Sequence, residues 1–585
     1  MKSFFKMLLA SILGVLAASI LFFFITIGVL GSMAGSLTTT SSSTPATVSP
    51  RSILRIMLDN PMEDRGSPAL MPNITNSSFS LRTSIGLNDI LKSLKNAVTD
   101  PNITLVYLDL SNLSIGMAQL EEIRMALLDF KESGKPIIAY ADNYSQGAYY
   151  LASVADKVYL NPFGSALLQG MSAEVMFYKK ALEKLQVDMQ IIRHGKFKSA
   201  VEPFMLDKLS PENRTQILSF AGSIWRHLLE QIAQARRINV DELQSFADNL
   251  SLASAQDALN NQLIDGLFYK DELLQELCKL SGVETEQELT MIDIEKYANT
   301  VKPGKFSKDK IAVVYASGDI IMGKGRSDIT AWEYANTFRR IRSDSTIKAV
   351  VFRVNSPGGD AQASEIIARE LSLIKKVKPV VISMSNYAAS GGYWIAAPSN
   401  IIITNPTTLT GSIGVFGMIP NLEKGLGNIL GLTVDVVKTA QSADFPSVYR
   451  PLTEQEKNVL QGRIENIYTK FIELIATNRP LSAQQIDSIG QGRVWCGIDA
   501  VKLGLADRLG GLTQAIDAAA DLAGVENYRI VELPTVQSPF EQLMQTLGGK
   551  TKAALPKQLE DVQKLLNEVG QARILARLPY DIILH

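Results

Sequence analysis

The chain has 585 residues, 46% of them apolar, so it is long enough for two or more domains with sizeable cores. Its 58 basic and 59 acidic residues are interleaved and leave a net charge of −1, which gives no electrostatic argument for nucleic-acid binding. The cysteines, Cys278 and Cys496, lie in opposite halves without metal-ligand spacing, and we expect two buried thiols rather than a disulfide.

The N-terminal segment predicts a membrane span. Residues 7–31 carry no charge and are almost continuously apolar, which is long enough to cross about 30 Å of hydrocarbon. The apolar region of a cleaved signal peptide is usually only about 7–15 residues long, so we expect a retained signal anchor rather than cleavage near residues 32–35. Lys2 and Lys6 precede the span and the next charge is Arg51, which predicts a cytoplasmic N-terminus with nearly all of the protein across the membrane.

The remaining chain is predicted to contain two related halves. The stretch 136–162 recurs at 379–406 with the same order of an apolar run, an Asn-Tyr pair, a Gly-x-Tyr motif and an Asn-Pro end, which indicates an internal duplication. We therefore expect a cytoplasmic end and anchor at 1–34, a Ser/Thr/Pro-rich linker at 35–52, a first repeat at 53–300, a second repeat at 301–530 and a C-terminal tail at 531–585.

Strands alternate with helices in both halves. The predicted elements are strands 53–59, 104–110 and 136–141 with helix 118–131 in the first half, and strands 311–316, 348–354 and 380–384 with helix 361–376 in the second. The strand runs are apolar without alternation, which is typical of strands covered on both faces. This order predicts an α/β fold with parallel sheets and right-handed crossovers. In the tail, residues 556–569 predict an amphipathic helix that packs on the body, with membrane contact as the alternative.

Ser390 is the first candidate for chemistry. It lies between a predicted buried strand and a small-residue helix, and Gly391 and Gly392 would let a substrate backbone approach closely. A Ser-Gly-Gly tripeptide is by itself more often a turn, and Ala388 replaces the first glycine of Gly-x-Ser-x-Gly, which disfavours an α/β-hydrolase. The equivalent position in the first half is Gln146, so the two halves differ at this point.

A second candidate is the glycine turn that follows the strand at 348–354. The backbone amides of Gly358 and Gly359 could donate hydrogen bonds to a developing oxyanion. The alternative is an ordinary Pro-Gly turn without a catalytic role. The equivalent first-half stretch, 111–116, lacks Pro-Gly-Gly. Loss of both the serine and the glycines from one copy is easier to explain if they form one site.

A serine nucleophile also needs a base. The chain has three histidines, and His194 has no obvious carboxylate partner, so we expect it on the surface. A lysine must be desolvated to act as a general base, because an unperturbed pKa near 10.4 leaves only about one amine in a thousand neutral near pH 7.4. Sequence periodicity does not select among the lysines.

These motifs together resemble the long form of the signal peptide peptidase A family, membrane-anchored bacterial serine proteases of the Clp protease/crotonase superfamily. The resemblance runs from the anchor to about Val525, and its specific stretches are 195–204 (GKFKSAVEPF), 355–360, 389–393, 410–414 and 492–495. It implies a tandem duplication of Clp protease/crotonase-like domains after an N-terminal transmembrane helix.

The resemblance also implies roles for individual residues. Ser390 would be the nucleophile, Lys198 the general base, and Ser412 the group that orients the lysine amine. Gly358 and Gly359 would form the oxyanion hole, and no metal or cofactor is implied. Lys196 would share a face with Lys198 in an extended strand, but the motif favours Lys198.

The implied function is endoproteolysis of cleaved signal peptides and of other unfolded segments, by a Ser-Lys dyad on the periplasmic side of the bacterial inner (cytoplasmic) membrane. The family forms rings, which implies a homo-oligomer such as a tetramer. Two other classes stay open: a crotonase-like acyl-CoA enzyme and a catalytically silent membrane scaffold. The proposed lysine and serine lie in different halves, so the halves must meet, either within one chain or between neighbours.

Overall fold

The computed structural model describes residues 47–73, 78–302, 306–323, 328–535 and 573–577. The predicted membrane span at 7–31 and the predicted tail helix at 556–569 lie outside these ranges. Within them, no helix combines the length and the apolar character that a membrane crossing requires.

The described residues form 22 strands and 17 α-helices. The strands are β1 Ser52–Leu58, β2 Ser67–Asn73, β3 Ser78–Ser84, β4 Ile103–Leu113, β5 Ile137–Ala141, β6 Lys157–Leu160, β7 Asp188–Arg193, β8 Gly266–Leu267, β9 Met291–Asp293, β10 Lys310–Ser317, β11 Ile320–Ile321, β12 Ile329–Thr330, β13 Ile347–Ser356, β14 Gly358–Asp360, β15 Val380–Ala389, β16 Ile401–Thr404, β17 Leu409–Gly411, β18 Phe416–Asn421, β19 Val494–Cys496, β20 Arg508–Leu509, β21 Arg529–Leu533 and β22 Arg573–Arg577. The helices are α1 Leu87–Thr99, α2 Met117–Lys131, α3 Gln146–Ala152, α4 Lys179–Lys184, α5 Glu202–Met205, α6 Pro211–Arg236, α7 Val240–Asn249, α8 Ala255–Asn260, α9 Lys270–Ser281, α10 Ile294–Ala298, α11 Ala331–Ser343, α12 Ala361–Lys375, α13 Gly391–Ala396, α14 Glu454–Asn478, α15 Ala483–Ile489, α16 Gly497–Lys502 and α17 Leu512–Ala523.

Two mostly parallel sheets correspond to the two halves. The first has the order β8-β6-β5-β4-β1-β9, and all of its pairings are parallel. The second has the order β19-β17-β15-β13-β10-β21, with β16 beside β15 and β20; among these pairings β17–β19 is antiparallel. The order β6-β5-β4-β1-β9 therefore matches β16-β15-β13-β10-β21, which agrees with the predicted duplication of strands and helices.

The strands are covered on both faces, as their unbroken apolar runs predicted. Along β10, Ala312 and Val314 lie in one buried cluster, whereas Ile311 and Val313 lie in a separate cluster on the other face. Alternate side chains of a strand point to opposite faces, so each face must be covered by helices. The predicted α/β class and the predicted strands and helices of the sheet cores are confirmed, with shifts at some element ends.

A third sheet joins the halves, with the order β12-β11-β14-β22-β18-β7. Strand β7 belongs to the first half of the sequence, yet it pairs antiparallel with β18 of the second half. The segment after β7 is thereby placed against the second half, where β14 and β18 also lie. Strand β22 comes from the tail, beyond the end of the helix predicted at 556–569.

A buried ion cluster also links the halves. The guanidinium of Arg353 lies 2.9 Å from Asp64 and 2.7 Å from Glu122, and all three side chains are almost fully buried. Glu122 accepts a further hydrogen bond from the backbone amide of Leu512, at 2.7 Å. The two cysteines are buried and unpaired, as the sequence predicted.

Candidate active site

Ser390 occupies a sharp turn between β15 and α13. Its φ of 55° and ψ of −113° form a conformation that residues with a side chain rarely adopt, so the surrounding structure must hold it. The amide of Ser390 donates to the carbonyl of Gly411 at 2.8 Å, and its carbonyl accepts from Trp394. The strand-to-helix position that the sequence indicated is present without a Gly-x-Ser-x-Gly motif.

Lys198 lies in the loop that follows β7, immediately before a 3-10 helix at Ser199–Val201. The amide of Phe197 donates to Gln491 at 2.9 Å, and the Gln216 side chain of α6 donates to the carbonyl of Phe197 at 3.1 Å. The same Gln216 accepts from the amide of Val494, at 3.1 Å. One glutamine therefore ties the lysine loop of the first half to β19 of the second half.

Gly492 makes room for the lysine backbone and stem. Its φ is +82°, and a Cβ at this position would lie 2.6 Å from the backbone nitrogen of Lys198 and 2.7 Å from its Cα and Cβ. Any side chain at Gly492 would thus displace Lys198 or distort the turn. The motif at 492–495 contributes to the site through the space that it leaves open.

The lysine amine reaches the serine within a single chain. Lys198 Nζ lies 2.8 Å from Ser390 Oγ, 3.0 Å from Ser412 Oγ and 3.2 Å from the carbonyl oxygen of Ser412. Both Lys198 and Ser390 are fully buried. A neutral amine can donate its two hydrogens to the two Ser412 oxygens, and this leaves its lone pair facing the hydroxyl of Ser390.

Burial controls the charge of this amine. Desolvation lowers the pKa of Lys198 well below its ordinary value, and the three hydrogen-bond partners are uncharged. Ser412 is itself held with a φ of 49°, and its amide donates to the carbonyl of Arg493 at 2.7 Å. The site therefore favours a neutral lysine in a fixed orientation, which is the state that can accept a proton.

The glycine turn lies on the adjoining strand. The amide of Gly358 donates to Ser356 Oγ at 3.1 Å, so this amide already has an acceptor. Gly359 packs closely on β11, where a Cβ would meet the carbonyl oxygen of Ile320 at 2.1 Å. Asp360 then caps α12 by accepting from the amide of Ala363 at 2.8 Å.

Gly391 entered the sequence analysis only as a point of close substrate approach, and its backbone amide was missed as a candidate oxyanion donor. It is the first residue of α13, and the first amides of a helix have no acceptor within the helix. The amide after a nucleophilic serine at a strand-to-helix turn is a recognised oxyanion donor in other hydrolases. Its position directly after Ser390, at a helix start, was the available signal in the sequence.

His194 and Lys196 lie differently from what the sequence suggested. His194 is half-buried rather than superficial: its Nδ1 lies 2.6 Å from Glu465, and its ring stacks on Tyr468 at 3.7 Å. Lys196 is exposed, and its amine lies 5.4 Å from the ring centre of Phe197. The prediction that Lys196 and Lys198 share a face of an extended strand is wrong, because the segment turns into a 3-10 helix after Lys198.

The first half has no equivalent dyad at its own serine position. Gln146 there accepts from the amides of Gln169 and Gly170, and its side-chain nitrogen donates to the carbonyl of Gly170 at 2.9 Å. Gln146 thus holds a loop of the first half. Across the described ranges, no group of three or more His, Cys, Asp or Glu side chains is placed to hold a metal ion.

The chain matches peptidase family S49 over residues 129–284 and 372–526. It is 36% identical to Protease 4 of Salmonella typhi, covering 86% of this chain and 83% of the relative, and 35% identical to Protease 4 of Haemophilus influenzae, covering 82% of each. It is 31% identical to the chloroplastic serine protease SPPA of Arabidopsis thaliana, covering 80% of this chain and 70% of the relative.

Among solved structures, a ClpP1 mutant from Listeria monocytogenes matches with a TM-score of 0.25 and 15% identity, covering 35% of this chain and 94% of that chain. A mutant of the membrane-bound stomatin-specific protease 1510-N matches with a TM-score of 0.26 and 17% identity, covering 39% of this chain and all of that chain. The family match spans more than half of the residues. The chain therefore belongs to peptidase family S49, and it is a serine-type peptidase.

Proposed function

We propose that this protein is an endopeptidase that degrades cleaved signal peptides and other unfolded segments by a Ser-Lys dyad. The observation that carries the proposal is the 2.8 Å contact between Lys198 Nζ and Ser390 Oγ in a fully buried site. A relative from Enterococcus faecium, 34% identical over 227 residues, bears the name putative signal peptide peptidase SppA, which supports the substrate class. A silent scaffold or an acyl-CoA enzyme would have no use for a desolvated lysine against a serine.

In the first step, Ser390 Oγ attacks the carbonyl carbon of the scissile peptide bond while its proton moves to Lys198 Nζ. Ser412 holds the amine in place through its hydroxyl and its carbonyl oxygen. The lysine then returns the proton to the leaving amine as the C–N bond breaks. A water molecule hydrolyses the acyl-enzyme with the same lysine as base.

The tetrahedral oxyanion needs hydrogen-bond donors on the opposite side. We assign this role to the turn at Gly358 and Gly359 together with Gly391. Gly391 would donate through its backbone amide at the helix start, and the glycine turn would supply the second donor; in this structure the amide of Gly358 donates to Ser356 Oγ. Removal of one such donor typically costs about 3–4 kcal/mol of transition-state stabilisation. No metal or cofactor takes part in these steps.

The proposal extends to location and assembly. Residues 7–31 would anchor the protein in a bacterial inner membrane with a cytoplasmic N-terminus, and the linker 35–52 would separate the anchor from two repeats at 53–300 and 301–530 on the periplasmic side. A ring of copies, such as a tetramer, would enclose a chamber that excludes folded proteins. A run of exposed apolar side chains supports an interface between copies: Leu432 is 55% exposed, Val434 49% and Val437 96%.

The test is hydrolysis of a synthetic signal peptide by the wild type and by Ser390→Ala. We expect cleavage by the wild type and none by the variant, because the change removes only the attacking oxygen. Ser372→Ala serves as the matched control, since that hydroxyl donates to the carbonyl of Ala368 within α12 and lies outside the dyad. Hydrolysis by Ser390→Ala at the wild-type rate would exclude the proposed mechanism.

A further inference from the structure

Gln216 is a fully buried glutamine on α6 with polar contacts to both halves of the chain. Its Nε2 lies 3.1 Å from the carbonyl oxygen of Phe197, 2.9 Å from Ser199 Oγ and 3.0 Å from Asn213 Oδ1. Its Oε1 accepts from the amide of Val494 at 3.1 Å. A backbone amide can only donate and a carbonyl oxygen can only accept, so these contacts fix which end of the glutamine faces which half.

The first-half contacts of Gln216 flank the proposed base. Phe197 precedes Lys198 and Ser199 follows it, so one side chain holds the loop on both sides of the lysine. The amide of Phe197 also donates to the carbonyl of Gln491 at 2.9 Å. Because a lysine amine sits on a flexible four-carbon stem, its position depends on how firmly the backbone below it is held.

The second-half contact of Gln216 leads to Ser412. Val494 is the first residue of β19 and pairs with Gly411, the residue before Ser412. The amide of Ser412 donates to the carbonyl of Arg493, the residue before Val494, at 2.7 Å. Gln216 therefore connects the backbone that carries the base with the backbone that carries the group that orients it.

Gln216 is itself held in place by the polar groups around it. Asn213, three residues earlier on α6, accepts from Gln216 and donates to Glu202 Oε2 at 2.9 Å. The carboxylate of Glu202 is 1% exposed and also accepts from the amide and the hydroxyl of Ser210. A side chain fixed in this way can define the position of the lysine loop, because it has little freedom to adapt to it.

We infer that Gln216 is a positioning residue of the Ser-Lys dyad: it sets the distance from Lys198 Nζ to the oxygens of Ser390 and Ser412 by holding the backbone of both halves. This inference rests on the proposed function, because the distance matters for catalysis only if Lys198 is the base. Gln216 is fully buried and acts through its neighbours. It should therefore affect the chemical step and leave substrate binding unchanged.

Loss of the Gln216 contacts should displace the lysine amine and admit water to it. A displacement of about 1 Å can slow the chemical step by about 100-fold. Burial lowers the pKa of Lys198, so hydration should raise that pKa towards its ordinary value. The charged groups next to the loop stay in place: Arg193 donates to the carbonyl of Lys198 at 3.3 Å, and Glu202 is bound by its own donors. The acid limb of the kcat/KM profile, where activity rises as Lys198 loses its proton, should move to higher pH.

The experiment replaces Gln216 by methionine, which keeps an unbranched stem and removes the amide group. The matched control is Gln119→Met, because Gln119 is 1% exposed, accepts from the amide of Gly116 and donates to the carbonyl of Met62 and to Asp64. Hydrolysis of a signal peptide and thermal unfolding are measured on the full chain. We expect similar falls in Tm, but a fall in kcat of about 10- to 100-fold with KM within about twofold in Gln216→Met alone. Its acid limb should move up by about one pH unit or more.

A double-mutant cycle with Ser412→Ala separates positioning from general destabilisation. Gln216→Met and Ser412→Ala act on the same amine, so their effects on kcat should be less than additive, whereas Gln119→Met should leave the effect of Ser412→Ala unchanged. If Gln216→Met does not fold, Ser199→Ala removes one hydrogen bond of the same glutamine. It should lower kcat by about two- to tenfold and move the acid limb in the same direction.

A titration of Lys198 gives a readout that does not depend on hydrolysis. It uses NMR of protein that carries isotope-labelled lysine, with Lys198→Met to identify the resonance. We expect the titration to move to higher pH in Gln216→Met and to stay in place in Gln119→Met. An unmoved titration and acid limb, in Gln216→Met or in Ser199→Ala if only that variant folds, would overturn the positioning role alone and make Gln216 a structural contact. A moved titration in a protein that hydrolyses no signal peptide would refute the proposed function alone.

Discussion

Replacement of Lys198 by methionine tests the proposed base with little change of shape. Methionine keeps an unbranched stem in the space beside Gly492 but removes the amine and its contacts with Ser390 and Ser412. Loss of a general base typically costs a factor of about 10²–10⁴ in rate, which corresponds to about 3–5 kcal/mol of transition-state stabilisation. We expect kcat/KM to fall by about that factor for Lys198→Met.

The fold should tolerate the same change. Burial depresses the pKa of Lys198 in the folded protein, so between that lowered pKa and the ordinary one the unfolded chain binds more protons. Between these two pKa values the free energy of unfolding therefore rises with pH. At lower pH the buried amine is charged and destabilises the fold, an effect that methionine does not have. We therefore expect Lys198→Met to keep its Tm within about 4 °C of the wild type near neutral pH.

The assay is the pH dependence of kcat/KM on a signal-peptide substrate, with thermal unfolding measured on the same samples. In the wild type, kcat/KM should rise as the pH increases through the lowered pKa of Lys198, because only the neutral amine accepts the serine proton. Lys198→Arg should not restore activity, since arginine stays protonated. Lys196→Ala should stay active because that side chain is exposed. More than about a tenth of wild-type activity in Lys198→Met, with the acid limb intact, would refute lysine as the base.

Three further outcomes are expected. Because Lys198 and Ser390 meet within one chain, mixed oligomers of Lys198→Ala and Ser390→Ala should show no recovered activity, and recovery would show that the dyad forms between subunits. Gly492→Ala should lower kcat/KM at least about tenfold, because the added methyl group displaces the lysine. The control is Gly462→Ala in α14, where an added Cβ meets no atom within 4 Å: it should keep its activity and raise the free energy of unfolding by up to about 1 kcal/mol. Arg353→Met should lower the free energy of unfolding by about 3–5 kcal/mol, and the Tm with it, because it leaves two buried carboxylates without their cation. An unchanged Tm would show that this cluster does not stabilise the contact between the halves.

Local patterns were enough to predict much of the fold. Apolar runs such as 380–384 predicted buried strands, and the alternation of strands with helices predicted the helix at 361–376, which the structure has at Ala361–Lys375. Strands that are buried on both faces have few polar positions, so they can be recognised as unbroken apolar runs in the sequence. The position of Ser390 between strand and helix followed from the same pattern.

The choice of the lysine was beyond any local pattern. Periodicity left many lysines open, and Lys198 stood out only through the resemblance of its motif to a known family. Its amine becomes a candidate base because β7 crosses to the other half and pairs with β18, which places a first-half loop beside Ser412. The burial that lowers its pKa arises from both halves together, so neither half of the sequence carries it alone.

The sequence by itself determined the strands, the helices, the duplication and the serine and glycine turns, because each depends on residues close together in the chain. Only the tertiary structure decided which lysine meets Ser390 and that the tail contributes strand β22 at Arg573–Arg577. A five-residue strand has little preference of its own, and its partners β14 and β18 lie more than 150 residues away in the sequence. Pairing across that separation is a property of the assembled sheet, and no window of the sequence contains it.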